Sequence, residues 1–485
     1  MQKFFILFLI CSGILWTIVP SVYHSTLHFD PAETLMWGST FNLGNAKHPP
    51  MSGYMLFNFC KLFGFQNFAI FLLSQICVTI GFIYIYKLGR CFFDKDKSVI
   101  ATLLITFYFF YNYETPKFNA NIPHLLFMPM MTYYFYRGCV ANKWHHWLLA
   151  AAAAACACLS KYTAGIVGIT FCLFLIVNKD ARKVLLTVKP YIAALFFIGL
   201  MTPHILHLIN TDFVVFEYIN HGKKEKYSYL IKLLVQCIAI IVPLICMSTA
   251  LLITHLLGKR KISCFKLTVA NHKAFQYSLC IMGGQALFLL LTGILGHRLL
   301  TIWTFPIYLT AGIFIMSLYP VSLDERSKRC FIVLCSVFAA IMLLFPLIYY
   351  NCKSKYRYHM DKNEMRTVAE NFYRTKTGKD VPFITGDIWS AAMLQNTFKY
   401  TIKAAPSFDP ILMGLHSDTI SRNGALVITT APKTEAANIK KMFNIELEWE
   451  KHEITYAARF GKQKTFKFYL AVIPPGIQMK TERKK

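Results

Sequence analysis

Long apolar runs recur through the first 350 residues of the chain, and they constrain its fold more than any other feature. Many approach the roughly 20 residues that an α-helix needs to cross a bilayer. Of the 485 residues, 55% are hydrophobic and 15% are charged, whereas soluble domains carry about 25% charged residues. The sequence therefore predicts a polytopic α-helical membrane protein with about eleven transmembrane helices. The predicted spans are 4–23, 68–86, 98–112, 122–136, 147–159, 163–177, 190–209, 229–257, 274–295, 299–318 and 331–350.

The distribution of basic residues predicts how these spans are oriented. Lysines and arginines cluster in alternate loops, such as 87–97, 179–189 and 259–273. The positive-inside rule places those loops in the cytoplasm. Because the basic residues punctuate apolar spans and form no continuous face, the net charge of +27 does not indicate nucleic-acid binding. The segments predicted on the outer side are 24–67, 112–121, 160–162, 210–228, 296–298 and the tail from 351.

The composition changes after residue 350. The runs "GALVITT" and "KFYLAVI" predict β-strands, and "DKNEMRTVAENFYR" and "TEAANIKKMF" predict amphipathic helices. The expected organisation is a transmembrane domain over 1–350, with a catalytic first outer loop at 24–67, and an extracytoplasmic α/β domain over 351–485.

The first outer loop places Asp30, Glu33, Lys47 and His48 beside a predicted span. One interpretation is structural, since Asp at N-cap, Pro31 at N1 and Glu at N3 would form a capping box. The stretch Lys47-His48-Pro49-Pro50 predicts a loop or the start of a helix. A cation held at headgroup depth can bind a lipid phosphate, although an ordinary snorkelling lysine explains Lys47 alone nearly as well.

Four motifs in successive outer loops resemble those of the membrane-embedded glycosyltransferases with the GT-C fold. They are Asp30 with "KHPP" (47–50), "KFNAN" (117–121), "LSKYTA" (159–164) and "GHRLLTIWTFP" (296–306), in the order found in that family. The resemblance covers about residues 25–310 and lies within the protein-mannosyltransferase-like superfamily. The most similar members would be bacterial enzymes that modify lipid A or its core, including aminoarabinose and galacturonic-acid transferases.

The resemblance implies a sugar donor carried on polyprenyl phosphate and an inverting transfer to an acceptor hydroxyl or phosphate. In this interpretation Asp30 is the general base and Glu33 positions the sugar or supports Asp30. Cations neutralise the leaving phosphate, and polar side chains position the substrates. The expected phosphate-binding residues are Lys47, His48, Lys117, Lys161 and Arg298, and the expected substrate-positioning residues are Asn119, Asn121, Tyr162 and His297.

The chain departs from the family pattern at several positions. Pro31 follows Asp30 where the family often has an adjacent acid, and Asn119 and Asn121 occupy a loop that often carries a further catalytic Asp. A phosphate-binding lysine of some members aligns with His48, which is charged only part of the time near neutral pH. Structural explanations also exist, because Lys161 can end a helix at the interface and the asparagines can satisfy turn backbone.

Other functions remain open from the sequence. A lipid-linked-sugar transporter or flippase would place its polar groups near the bilayer midplane, whereas here they cluster at one surface. A protein O-glycosyltransferase of the same fold is a second alternative. An excess of basic residues in the tail favours an anionic glycolipid acceptor, such as lipid A or the core of lipopolysaccharide, and contact with membrane lipids. The expected location is a bacterial inner membrane, with the active site and the tail in the periplasm.

A divalent metal is not favoured as a cofactor. His24, His28 and Asp30 lie near one another in the sequence, and His204 and His207 are three residues apart. Neither spacing matches a strong ligand set for a metal.

Overall fold

The computed structural model of the chain describes residues 1–215, 229–258, 268–294, 301–320, 323–352, 359–457 and 463–479. It confirms a mainly helical architecture with several apolar spans, followed by a C-terminal domain that contains a β-sheet. The helices of the first part are α1 (Gln2–Tyr23), α2 (Phe29–Gly38), α3 (Met51–Phe63), α4 (Asn67–Gly89), α5 (Lys95–Leu104), α6 (Ile122–Ala141), α7 (Trp144–Ser160), α8 (Gly165–Val177), α9 (Lys179–Arg182), α10 (Lys189–Asn210), α11 (Tyr229–Leu257), α12 (His272–Ile294), α13 (Ala311–Ser317) and α14 (Glu325–Cys352).

Six helices in the described part of the chain are long and apolar enough to cross a membrane. They lie at Gln2–Val22, Asn67–Gly89, Lys189–Asn210, Leu233–Leu257, His272–Leu291 and Glu325–Phe345. A bent pair, Tyr162–Val177 and Lys179–Leu186, breaks by 102° and would add a seventh span. The chain is therefore a multi-pass membrane protein, and the number eleven stays a prediction.

Two predicted spans are not single α-helices. The span predicted at 98–112 is the short helix α5 followed by the 3-10 turns Ile105–Phe107 and Phe109–Tyr111. The span predicted at 299–318 is the 3-10 segment Thr301–Thr310 followed by α13. Hydropathy identifies apolar segments but does not report where the backbone departs from α-helical geometry, and this limit accounts for both differences.

Small residues let neighbouring helices approach closely. A side chain at Gly81 of α4 would collide with the Leu125 carbonyl oxygen of α6, and one at Gly312 of α13 would collide with the Ala101 carbonyl of α5. Such contacts are typical of helix packing in membranes, where apolar burial alone does not drive association. They bring α4 and α6, each of which follows a predicted outer loop, into direct contact.

In the described part of the chain, α15 (Lys362–Thr377) is the first helix after residue 352, and the domain boundary at 351 stays a prediction. The described residues of the C-terminal domain form five strands, β1 (Phe383–Gly386), β2 (Lys403–Pro406), β3 (Ala425–Thr429), β4 (Glu450–Ala457) and β5 (Gln463–Ile473), which follow the order β2-β1-β3-β5-β4. The strand β1 pairs in parallel with β2 and β3, while β5 pairs antiparallel with β3 and β4. Both predicted strands and both predicted helices are present. The other helices are α16 (Ile388–Thr397), α17 (Pro410–Leu415), α18 (Ser417–Asn423) and α19 (Pro432–Phe443).

The first predicted outer loop folds into the two short helices α2 and α3. The expected capping box is wrong, because α2 begins at Phe29 with His28 at N-cap and no side-chain cap. This start places Asp30 inside the first turn, which frees its carboxylate from the backbone. The proline pair starts a helix, as predicted, with Pro50 as the N-cap of α3.

Candidate active site

Asp30 is held by a side chain from a distant loop. Its Oδ2 accepts a hydrogen bond of 2.8 Å from the Nδ2 of Asn119. Among the described residues its Oδ1 makes no hydrogen bond, and the residue is only partly buried. A carboxylate with one oxygen fixed and the other open can accept a proton from a substrate hydroxyl.

The motif at 119–121 also reaches Lys161. The backbone N–H of Asn121 donates to the Asn119 Oδ1 over 2.9 Å, and the Lys161 Nζ donates to the Asn121 Oδ1 over 2.8 Å. A continuous chain of hydrogen bonds therefore runs from Lys161 through the two asparagines to Asp30. The structure brings together four of the residues that the sequence singled out.

His124 fixes the backbone that presents Lys161. Its Nε2 lies 3.0 Å from the Ala157 carbonyl oxygen and 3.2 Å from that of Lys161. The Ala157 carbonyl also accepts the backbone N–H of Lys161, so the histidine adds further hydrogen bonding at the end of α7. His124 is buried in the first turn of α6, shortly after Asn121. It is a site residue that the sequence did not reveal, since a lone histidine in an apolar run carries no distinctive signal.

The ammonium of Lys161 sits in a mixed environment. Burial lowers its pKa to about 7, the nearby Asp30 carboxylate opposes this shift, and Lys47 adds to it. Burial disfavours the charged form of a lysine because the ammonium loses its hydration. A lysine in this state gains a proton readily when an anion binds beside it.

Lys47 and Glu33 form an ion pair. The Lys47 Nζ lies 3.0 Å from one carboxylate oxygen of Glu33 and 2.9 Å from the other. Glu33 is nearly fully buried, whereas the Lys47 side chain remains 19% exposed. Burial raises the pKa of Glu33 to about 7 in spite of the ion pair. Lys47 also lies above the rings of Phe29 and Trp37, at 5.9 and 5.6 Å from their centroids.

Asn45 shapes the turn that carries Lys47 and His48. Its Oδ1 accepts hydrogen bonds from the backbone N–H groups of both residues, at 2.9 and 2.8 Å. The His48 ring packs edge-on against Trp37 at 5.6 Å. Burial, followed by the charges of Lys47 and Lys161, lowers the pKa of His48 well below its usual range. His48 is therefore neutral near pH 7 and can meet a phosphate only as a hydrogen-bond donor.

The remaining expected site residues lie in other contacts. The Lys117 Nζ forms an ion pair of 2.8 Å with Glu114 and lies over the Tyr113 ring. The hydroxyl of Tyr162 lies 3.0 Å from the Nε2 of His204. His297 and Arg298 fall outside the residues that the structure describes. Within the described ranges, no group of three His, Cys, Asp or Glu side chains could hold a metal ion.

Comparisons with known proteins agree with this architecture. Residues 47–207, about a third of the chain, match the family model described as dolichyl-phosphate-mannose-protein mannosyltransferase. The crystal structure of ArnT from Cupriavidus metallidurans bound to undecaprenyl phosphate superposes with a TM-score of 0.61 at 11% identity, covering 96% of this chain and 97% of that one. The apo structure of the same protein gives a TM-score of 0.61 at 12% identity, covering 97% and 98%.

A comparison with curated protein sequences finds no match. The solved structures share little sequence with the chain, so their similarity concerns the fold alone. The family model matches the sequence itself, and the matched range includes the motif segments at 47–50, 117–121 and 159–164. The chain therefore has the GT-C fold, and its resemblance to the membrane glycosyltransferases of the protein-mannosyltransferase-like superfamily is confirmed.

Proposed function

We propose that the chain is a glycosyltransferase that moves a sugar from a polyprenyl-phosphate donor to an acceptor on the periplasmic face of a bacterial inner membrane. The observation that supports this most directly is the hydrogen-bonded chain from Lys161 through Asn121 and Asn119 to Asp30. It places an open carboxylate and a cation near each other in segments predicted to lie on the outer side. One group can accept a proton while the other neutralises a leaving phosphate.

The proposed reaction is a single displacement with inversion at the anomeric carbon. The acceptor hydroxyl gives its proton to the Oδ1 of Asp30 as its oxygen attacks the sugar, and the bond between the anomeric carbon and the donor phosphate breaks. Asn119 holds the carboxylate in position through Oδ2. Substrate positioning of this kind supplies much of the rate enhancement in group transfer.

The leaving group is a polyprenyl phosphate, which gains negative charge as the bond breaks. Lys161 takes the principal cationic role, because its ammonium lies at the end of the hydrogen-bonded chain from Asp30 and is stabilised by an incoming anion. Lys47 contributes a second positive charge, held by Glu33, and His48 contributes a neutral N–H donor. One of the two ArnT structures has undecaprenyl phosphate bound, and the shared fold supports a donor of the same class here.

The proposed acceptor is lipid A or the core of lipopolysaccharide. In the tail from residue 351, lysines and arginines outnumber acids by about ten, and a basic domain at a membrane surface attracts anionic glycolipids. The Asp30 geometry serves equally for a hydroxyl on a lipid or on a protein, so the experiment has to distinguish these two kinds of acceptor.

Mass spectrometry of lipid A and core oligosaccharide from a deletion strain tests the proposal. We expect the loss of one defined sugar, restored by the wild-type gene and not by the Asp30→Asn variant. Unchanged lipid A and core, together with the loss of a glycan from periplasmic proteins, would instead show a protein acceptor. Unchanged glycolipids and glycoproteins would overturn the proposal.

A further inference from the structure

The C-terminal domain meets the first predicted outer loop at the carboxyl ends of its parallel strands. Asp409 comes three residues after β2 and is the N-cap of α17. It is fully buried, with no exposed surface. Its sequence, Asp409-Pro410, is an ordinary signal for a helix start, so nothing in the sequence distinguishes it from a purely local cap.

The two oxygens of Asp409 serve different parts of the molecule. Oδ1 accepts hydrogen bonds from the backbone N–H groups of Ile411 and Leu412, both at 3.0 Å, which caps α17. Oδ2 accepts a hydrogen bond of 3.2 Å from the backbone N–H of Ala46, which is 363 residues away. One carboxylate therefore ties the C-terminal domain to the residue that precedes Lys47.

Asp409 completes the support of the turn that carries Lys47 and His48. The N–H groups of Lys47 and His48 are bound by Asn45, and the N–H of Ala46 is bound by Asp409. Three consecutive backbone N–H groups thus donate to side chains. Two of them donate to Asn45, and the third donates to Asp409 of the C-terminal domain. A turn held at every donor has few alternative conformations, which fixes where its side chains point.

Other contacts hold the two domains together without Asp409. The Lys403 Nζ donates to the Ser39 carbonyl over 3.0 Å, and the indole N–H of Trp389 donates to the Leu27 carbonyl over 3.1 Å. Asn396 donates to the Phe65 carbonyl over 3.2 Å. Since these three bonds are independent of the turn at 45–48, a change at Asp409 should alter the turn while the domains stay docked.

We propose that Asp409 is a positioning residue, through which the C-terminal domain holds Lys47 and His48 in the orientation that the donor phosphate requires. The C-terminal domain is then a working part of the active site. The expected effect of Asp409 on catalysis rests on the proposed function. Its expected effect on the conformation of residues 45–48 does not.

The test compares Asp409→Asn with Asp387→Asn in the full-length protein in detergent. Asp387 is a matched control, because it caps α16 through Ser390 and its second oxygen bonds to Thr430 within the same domain. An asparagine can still cap a helix with its amide oxygen, but its amide nitrogen cannot accept a hydrogen bond from Ala46. Asp409→Ser, which caps but is too short to reach Ala46, is a second variant in case Asp409→Asn does not fold.

Hydrogen exchange of peptides that cover residues 43–50 is the first readout. We expect amide exchange there to be roughly tenfold faster in both Asp409 variants and unchanged in Asp387→Asn. Equal exchange in all variants would overturn the proposal, whether or not the protein is a transferase.

Steady-state kinetics with the polyprenyl-phosphate sugar donor is the second readout. We expect the donor KM of the Asp409 variants to rise roughly tenfold with a smaller change in kcat, since the turn positions phosphate-binding groups. Faster exchange with unchanged KM would show that Asp409 orders the turn without serving the site, and would overturn its positioning role. A wild-type protein without transferase activity would refute the proposed function and leave the exchange result to stand by itself.

Discussion

Asn119 donates a 2.8 Å hydrogen bond to Asp30 across 89 residues of sequence. The contact joins the start of α2 to the loop before α6, two segments that the motifs assign to the same side of the membrane. The sequence motifs around Asp30 and Asn119 are each weak, but the contact shows that the two residues belong to one site. The Asn119 amide holds one carboxylate oxygen of Asp30 and leaves the other open.

Replacing Asp30 with asparagine should remove most of the activity while preserving the fold. The new amide oxygen can still accept the hydrogen bond from Asn119, but the side chain can no longer take up a proton. General-base catalysis contributes about 10²–10⁴-fold, so we expect kcat to fall by that factor. The measurement is single-turnover transfer in nanodiscs, with thermal unfolding as the control for folding. Retained activity would remove Asp30 from the mechanism.

Replacing Asn119 with alanine should have a smaller effect of the same kind. A hydrogen bond to a charged group contributes about 1.5–3 kcal/mol, which corresponds to a loss of roughly 10–100-fold if it serves only to orient Asp30. We expect the loss to appear in kcat, with the donor KM little changed. A double variant with Asp30→Asn should then be no worse than Asp30→Asn alone, since both act through one carboxylate. Additive losses would assign Asn119 a separate role.

Donor binding should weaken as the pH rises through about 7, the pKa to which burial lowers Lys161. The ammonium is protonated below this value and binds the donor phosphodiester, whose single charge does not titrate there. The donor KM should increase roughly tenfold between about pH 6 and about pH 8. In Lys161→Arg the guanidinium stays charged, so its KM should change much less over this range, and what change is left reports the ionisation of Glu33, whose pKa is also about 7. A wild-type KM that does not depend on pH would exclude Lys161 as the principal cation.

The contribution of Lys47 to stability can be distinguished from its contribution to donor binding. Lys47→Met alone leaves a buried carboxylate without its cation and should cost about 2–4 kcal/mol, since Lys47 is not fully buried. Combining it with Glu33→Gln should recover most of that stability, measured by thermal unfolding in detergent. If Lys47 binds the donor phosphate, the stable double variant will still show a raised donor KM. A normal KM would leave Lys47 with a structural role only.

Fusions to reporter proteins test the proposed orientation. Alkaline phosphatase, which is active only in the periplasm, should be active when fused after residue 479 and inactive when fused after residue 142. Green fluorescent protein should give the opposite result at each position. The reverse pattern at both positions would place the proposed active site in the cytoplasm and end the case for a periplasmic acceptor.

The sequence predicted the class of fold because bilayer crossing demands long apolar segments, which are visible in one dimension. It also predicted β3 and β5, because their apolar runs are bounded by turn residues. It did not show that the apolar run at 98–112 leaves α-helical geometry after Leu104, since hydropathy is the same in α- and 3-10 helices.

Part of the site was likewise predictable. Asp30, Asn119 and Lys161 were singled out because they lie in motifs that resemble those of the GT-C glycosyltransferases. The bonding between them was not, since side-chain partners 40 to 89 residues apart leave no local pattern. Asp409 was missed for the same reason, because its cap of α17 is a sufficient local explanation and its contact with Ala46 is visible only in three dimensions.

The tripeptide Asn119-Ala120-Asn121 sets the distance between the Asp30 carboxylate and the Lys161 ammonium. In the proposed mechanism, inserting or deleting a single residue there would change the distance between the two groups, so that deprotonation of the acceptor and departure of the lipid carrier would no longer occur together. Variants designed to change the specificity of the proposed transfer should therefore keep residues 119–121 at their present length.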